Sequence, residues 1–163
     1  MKEEESIARV LKEGSKVDIA LVGIGTIDFS ATNIRLGCFN EKDMEELEMA
    51  GAVASICTSY LDREGKEVGN SLSRRFIGVS LEELKRSRVI AVAIGEKKVE
   101  AITAVLKSGK VDVLITDFST AKKVCQANPG LNRDLLLAGC LFHDCGKLWE
   151  NCYPCLLYTS RCV

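Results

Sequence analysis

Val89-Ile90-Ala91-Val92-Ala93-Ile94-Gly95, then Lys97 to Lys107, then Val111-Asp112-Val113-Leu114-Ile115 decide how this chain folds. The first run is continuously apolar and ends at a glycine, which reads as a buried strand. Lys97 to Lys107 places Val99, Ile102, Val105 and Leu106 on one side of a helix. Val111 to Ile115 reads as a second strand. Strand, helix, strand, with strands that lack polar alternation, predicts a parallel sheet covered by helices on both faces.

Working outward, Val17 to Val22 is another apolar run, ending at Gly23-Ile24-Gly25. Ser6 to Lys12 has helical spacing in Ile7, Val10 and Leu11. Glu41 to Ala50 reads as a helix capped by Asn40. Ala52 to Leu61 reads as one strand, and Asp62 to Lys66 as a turn with Gly65 at a left-handed position. Arg75 to Val79 is a short extended stretch. Ser80-Leu81-Glu82-Glu83 is a capping box that opens a helix to about Arg86. Ser119 to about Gln126 is a helix. The fold class expected is α/β, a layered domain of a sheet with flanking helices.

The composition excludes several classes. With 163 residues, 47% hydrophobic and 28% charged, the chain has the balance of one globular domain. Its 22 basic and 23 acidic residues leave a net charge of −1, without the footprint of a nucleic-acid or membrane binder. No apolar run is long enough to span a bilayer. The start, Met1-Lys2-Glu3-Glu4-Glu5, is unlike a secretory signal, so a cytoplasmic chain is expected. Of eight cysteines, Cys125, Cys140, Cys145, Cys152, Cys155 and Cys162 fall in the last part, and reduced thiols are expected. Cys152-x-x-Cys155 has no second pair to complete a zinc site.

Four blocks in order carry a family resemblance. They are Asp18 to Gly25, then Gly51-Ala52-Val53-Ala54 with Asp62 and Gly65, then Arg75-Phe76-Ile77-Gly78-Val79 with Leu81-Glu82-Glu83-Leu84. Last come Val92-Ala93-Ile94-Gly95, Lys98, Ala101-Ile102, Leu114-Ile115-Thr116-Asp117 and Thr120-Ala121. Together they resemble the C-terminal half of the sugar-binding domain of SorC-type (sorbitol-operon repressor-like) transcription regulators. The resemblance implies a partial open Rossmann-like (sugar-phosphate isomerase-like) sheet with flanking helices over 1–124, part of an effector domain. On it, a helix-turn-helix domain and the first half of the sugar domain would lie before Met1. It implies carbohydrate binding in a regulator, not an enzyme, with a phosphorylated sugar as effector and no cofactor. Full-length members bind operator DNA and oligomerise; no direct DNA contact is expected of this chain.

The candidate effector residues are Gly23, Gly25, Thr26, Arg75, Lys98 and Asp117. Ligands of open α/β sheets bind at the carboxyl ends of strands. Gly23 and Gly25 there permit close backbone approach to an anion, or simply make a tight turn. Lys98, a cation at the positive end of a helix, calls for an anion unless it is merely solvated. Arg75 suits a phosphate or a structural ion pair. Asp117 can accept sugar hydroxyls or cap the helix that follows. Phe118 stands where the family usually has Glu.

A second resemblance covers 131–151. Leu141-Phe142-His143-Asp144-Cys145-Gly146-Lys147 is similar to the H-D-x-G-K helix of HD-domain metal phosphohydrolases, where His and Asp ligate the metal. His143 is the single histidine, and no Asp follows Asp144, so that metal set is incomplete. Residues 125–154 are thus expected to be an HD-like helical fragment unrelated to the sheet, and metal-dependent phosphohydrolysis is the alternative function. Tyr153 to Val163 has neither helical nor strand period. Within it, Cys155-Leu156-Leu157-Tyr158-Thr159-Ser160 resembles the translation of a transposon-end sequencing adaptor. A disordered, artefactual tail is expected over 155–163.

Overall fold

The computed structural model describes residues 4–28 and 39–130, with the backbone of 155–159. The elements in chain order are α1 (Glu5–Gly14), β1 (Ile19–Thr26), α2 (Glu41–Met49), β2 (Ala52–Ile56), β3 (Ser59–Asp62) and β4 (Glu67–Val68). There follow α3 (Asn70–Ser73), β5 (Arg88–Val92), a 3-10 turn Glu96–Lys98, α4 (Val99–Lys107), β6 (Val113–Asp117), α5 (Phe118–Ala127) and β7 (Cys155–Thr159). The strands form one mixed sheet in the order β4-β3-β2-β1-β5-β6-β7.

The strand–helix–strand expectation holds at the centre. β1 pairs in parallel with β5, Ala20 opposite Val89 and Val22 opposite Ala91. β5 pairs in parallel with β6, Ala91 opposite Leu114. α4 is the crossover between β5 and β6 and buries Ala101, Ile102, Ala104 and Val105 completely. These pack with Ile24, Val89, Leu114 and Val124 in the main core. Full burial of a side chain such as Ile102 or Leu114 contributes about 1.5–3 kcal/mol.

Several expectations are corrected. Ala52 to Leu61 is two strands, because Cys57 takes φ 54° and turns the chain between Ile56 and Ser59. Arg75 to Val79 pairs with no strand among the described residues and runs as turn and bend. The capping box does form, Ser80 N–H donating to Glu83 Oε2 at 2.7 Å and Glu83 N–H to Ser80 Oγ at 3.3 Å. Yet 81–86 are turns rather than a regular helix, held by bonds such as Ser87 N–H to the Leu84 carbonyl. Cys155–Thr159 is a strand antiparallel to β6, where an irregular tail was expected.

The largest correction concerns the sheet faces. In β1, Ala20 and Ile24 are buried, while Ile19 is 61% and Leu21 70% exposed. Among the described residues the sheet is therefore covered on one face near β1 and open on the other. Residues 131–154, which hold the expected second helix, lie outside the described residues.

A second cluster sits on the antiparallel side: Phe39, Leu47, Ala52, Tyr60 and Leu72. Phe39 meets Tyr60 edge-on at 6.2 Å between centroids and Phe76 at 5.3 Å. Asn40 caps α2 reciprocally, accepting from Asp43 N–H while Asp43 accepts from Asn40 N–H.

Candidate functional site

Parallel pairing carries β1, β5 and β6 side by side, so their carboxyl ends open on the same edge of the sheet. Three segments leave that edge: Gly25-Thr26 from β1, Gly95 to Lys98 after β5, and Asp117 at the end of β6. This is where an open α/β sheet offers backbone amides and helix starts to a ligand.

Gly23-Ile24-Gly25 continue strand β1 to Thr26 instead of making the tight turn expected of them, and Lys98 lies against this end of the strand. Its Nζ donates to the Ile24 carbonyl at 2.8 Å, within Gly23-Ile24-Gly25. Lys98 is also the N-cap residue of α4, and its side chain makes no cap hydrogen bond. An ammonium is thus held beside the amino end of a helix, a combination that a bound anion stabilises. Gly23 faces open space: a Cβ added there meets nothing within 4 Å. Gly25 is confined, since a Cβ would run into Ser55 Oγ of the neighbouring strand. Thr26 Oγ1 donates to Asp28.

Asp117 is at the same edge with its carboxylate engaged. It accepts from Gly95 N–H at 2.9 Å, Ser119 Oγ at 2.7 Å, Thr120 N–H at 3.0 Å and Thr120 Oγ1 at 2.6 Å. Burial pushes this carboxyl up, but the four hydrogen bonds outweigh it and hold it well below the usual carboxylate range. Of the two readings of Asp117, the structure displays the helix cap. It also displays a tie that the sequence reading missed. Gly95, at φ 105°, gives its N–H to both Asp117 and Thr120 Oγ1, fastening the end of β5 to the end of β6. A glycine closing an apolar run was the available signal.

Arg75 is engaged in an ion pair. Its Nη1 pairs with Asp43 Oδ1 at 2.5 Å beside the aromatic cluster. The Asn40 amide and the Arg75 guanidinium hold the Asp43 carboxyl below its ordinary value. Tyr60 nearby is pushed up to about 12 by burial. Of the two readings of Arg75, the structure displays the ion pair.

Among the described residues no three His, Cys, Asp or Glu gather as a metal site, and no helix is long and apolar enough to cross a membrane. His143 and Asp144 lie outside the described residues.

Comparison with known proteins points one way. A family model described as "Putative sugar-binding domain" matches residues 1–126. The erythritol catabolism regulatory protein EryD of Brucella abortus is 35% identical over 119 residues, 73% of this chain and 38% of EryD. A DeoR family transcriptional regulator from Listeria monocytogenes is similar in structure, with TM-score 0.71 and 35% identity over 76% of this chain and 50% of that one. The sorbitol operon regulator SorC of Klebsiella pneumoniae shares the fold, with TM-score 0.66 and 22% identity over 74% of this chain and 40% of that one. The chain spans about two fifths of the length of the curated relatives it matches.

Proposed function

Because this chain belongs to the sugar-binding domain family of SorC-type transcriptional regulators, we infer that its β1–α4 edge receives a phosphorylated sugar as effector. The observation that carries this reading is the Lys98 ammonium, held 2.8 Å from the Ile24 carbonyl at the amino end of α4. In this reading the phosphate sits against Lys98 and the first amides of α4. Gly23 lets the backbone come close, Gly25 fits the strand against Ser55, and Thr26 offers a hydroxyl. Asp117 serves the site indirectly, by fixing Gly95 and the start of α5. Arg75 serves as the ion-pair partner of Asp43.

The role is binding, not catalysis. In the whole regulator, occupancy of this edge changes how an attached DNA-binding domain holds its operator. The relatives matched are regulators, and the family match ends at residue 126, before His143.

Thermal unfolding with a panel of sugar phosphates tests this. A ligand at 100 times its Kd adds about 2.7 kcal/mol, which raises Tm by several degrees. Lys98→Met is expected to abolish that rise, with a smaller change in Tm without ligand. If no sugar phosphate raises Tm, or Lys98→Met responds like the parent chain, the reading fails.

A further inference from the structure

Away from Lys98, the edge where β5 and β6 end is apolar. Ile94 precedes Gly95 and Phe118 follows Asp117. The Gly95 N–H donates to Asp117 Oδ2 at 2.9 Å, which sets Ile94 and Phe118 beside each other across the two strand ends. Ile94 is 56% and Phe118 48% exposed, although Ala93 between Val92 and Ile94 is buried. A single exposed apolar side chain is ordinary; two together at the mouth of a ligand edge make a contact surface. By strand alternation Ile94 shares its face with Val92. The register places Val92 beside Gly23 on one side and Ile115 on the other. An added Cβ on Gly23 would meet nothing within 4 Å, so the surface between β1 and Val92 is unfilled.

The polar groups at this end already satisfy one another. A carboxylate has room for about four donors. Gly95 N–H and Thr120 Oγ1 occupy Oδ2 of Asp117, while Ser119 Oγ and Thr120 N–H occupy Oδ1. The hydroxyl protons of Ser119 and Thr120 are committed in the same bonds. The carboxylate at the end of β6 therefore has no lone pair left for a sugar hydroxyl, and the side chains flanking it are apolar.

We propose that Ile94 and Phe118 determine effector specificity, receiving a deoxygenated stretch of the sugar whose phosphate lies at Lys98. The proposal rests on the reading of the Lys98 edge given above. A hydroxyl pressed against these two side chains loses its water and gains no partner, whereas a methyl or methylene group loses no hydrogen bond. From β1 to β6 is two strand spacings, about 10 Å, a distance that a phosphorylated sugar bridges from its phosphate to the far end of its carbon skeleton.

Calorimetric titration of the full chain with matched pairs tests this: xylulose 5-phosphate against 1-deoxyxylulose 5-phosphate, and glucose 6-phosphate against 2-deoxyglucose 6-phosphate. In each pair the missing hydroxyl is far from the phosphate. The deoxygenated member of at least one pair is expected to bind about tenfold more tightly. Ile94→Thr and Phe118→Gln are each expected to bring that ratio toward one, chiefly by strengthening the hydroxylated member. A merely structural role for either side chain would weaken both members alike and leave the ratio unchanged. Equal affinities in the parent chain, a preference for the hydroxylated members, a ratio indifferent to both variants, or binding of neither pair would overturn the proposal. If Lys98→Met abolishes binding while the parent shows no preference, the Lys98 reading stands and this proposal alone falls. If Lys98→Met binds like the parent, the reading itself falls. Where circular dichroism shows that one variant has lost its fold, the other decides, and if both have, the ratio in the parent chain does.

Discussion

Both oxygens of the Asp117 carboxylate are committed to neighbouring donors, and that commitment has a pH signature. Its folded-state value lies below the ordinary carboxylate value of 3.8. Such a group stabilises the fold fully above its unfolded value, and the contribution is lost as pH falls through the folded value. Asp117→Asn is therefore expected to lower stability at neutral pH by about 1–3 kcal/mol. It is also expected to flatten the decline in stability below about pH 4, read from urea midpoints across acidic pH. Glycines divide just as sharply. Gly65 has φ 77°, and a Cβ there would lie 2.4 Å from Ser108 N and 2.7 Å from the Ala104 carbonyl oxygen. Gly65→Ala is expected to cost at least 1–3 kcal/mol. Gly23→Ala meets open space and is expected to change stability by less than about 1 kcal/mol, yet to weaken sugar-phosphate binding if the ligand approaches that backbone. Calorimetry on the two variants separates these effects.

At the scale of elements, the parallel strands and their crossover helix were legible because apolar runs and a 3.6-residue period are local signals. Asn40 as the cap of α2 was legible for the same reason. The hairpin was not. Ala52 to Leu61 is apolar enough to pass for one strand, and Cys57 is an unusual residue for a left-handed turn. Two-residue hairpin turns favour Gly or Asn where φ is positive. Cys57→Gly is expected to raise stability by about 1 kcal/mol by relieving that conformation, measurable as a higher urea midpoint with the same slope. Ser80 and Glu83 teach the converse lesson. Their capping hydrogen bonds formed, but the chain leaves the helical path within six residues because Leu81 and Leu84 are drawn into the main core. Burial of two leucines outweighs the propagation of one helical turn.

Over the whole molecule, one core joins residues from Ala20 to Cys125, and α4 lies at its centre. Ile102 is fully buried between the helix layer and the sheet. Ile102→Ala is expected to cost about 2–5 kcal/mol and to lower the unfolding midpoint of the entire α/β unit, seen together by circular dichroism and by Trp-independent hydrogen exchange of β1 and β6. Loss confined to α4 would show that the helix is not integral to the core.

The candidate edge around Gly23 and Lys98 came with the family resemblance, while local pattern alone determined the α/β class, the three central strands and the crossover helix. These are readable because period, apolar runs and glycine stops depend on neighbours a few residues apart. Only the tertiary structure decided which oxygen Lys98 reaches, that Arg75 answers Asp43, that Asp117 ties β5 to β6, and which face of the sheet stays bare. Those outcomes turn on pairings between residues 22 to 74 positions apart, and whether an apolar strand finds a helix on both sides depends on the chain's full set of neighbours rather than on the strand itself.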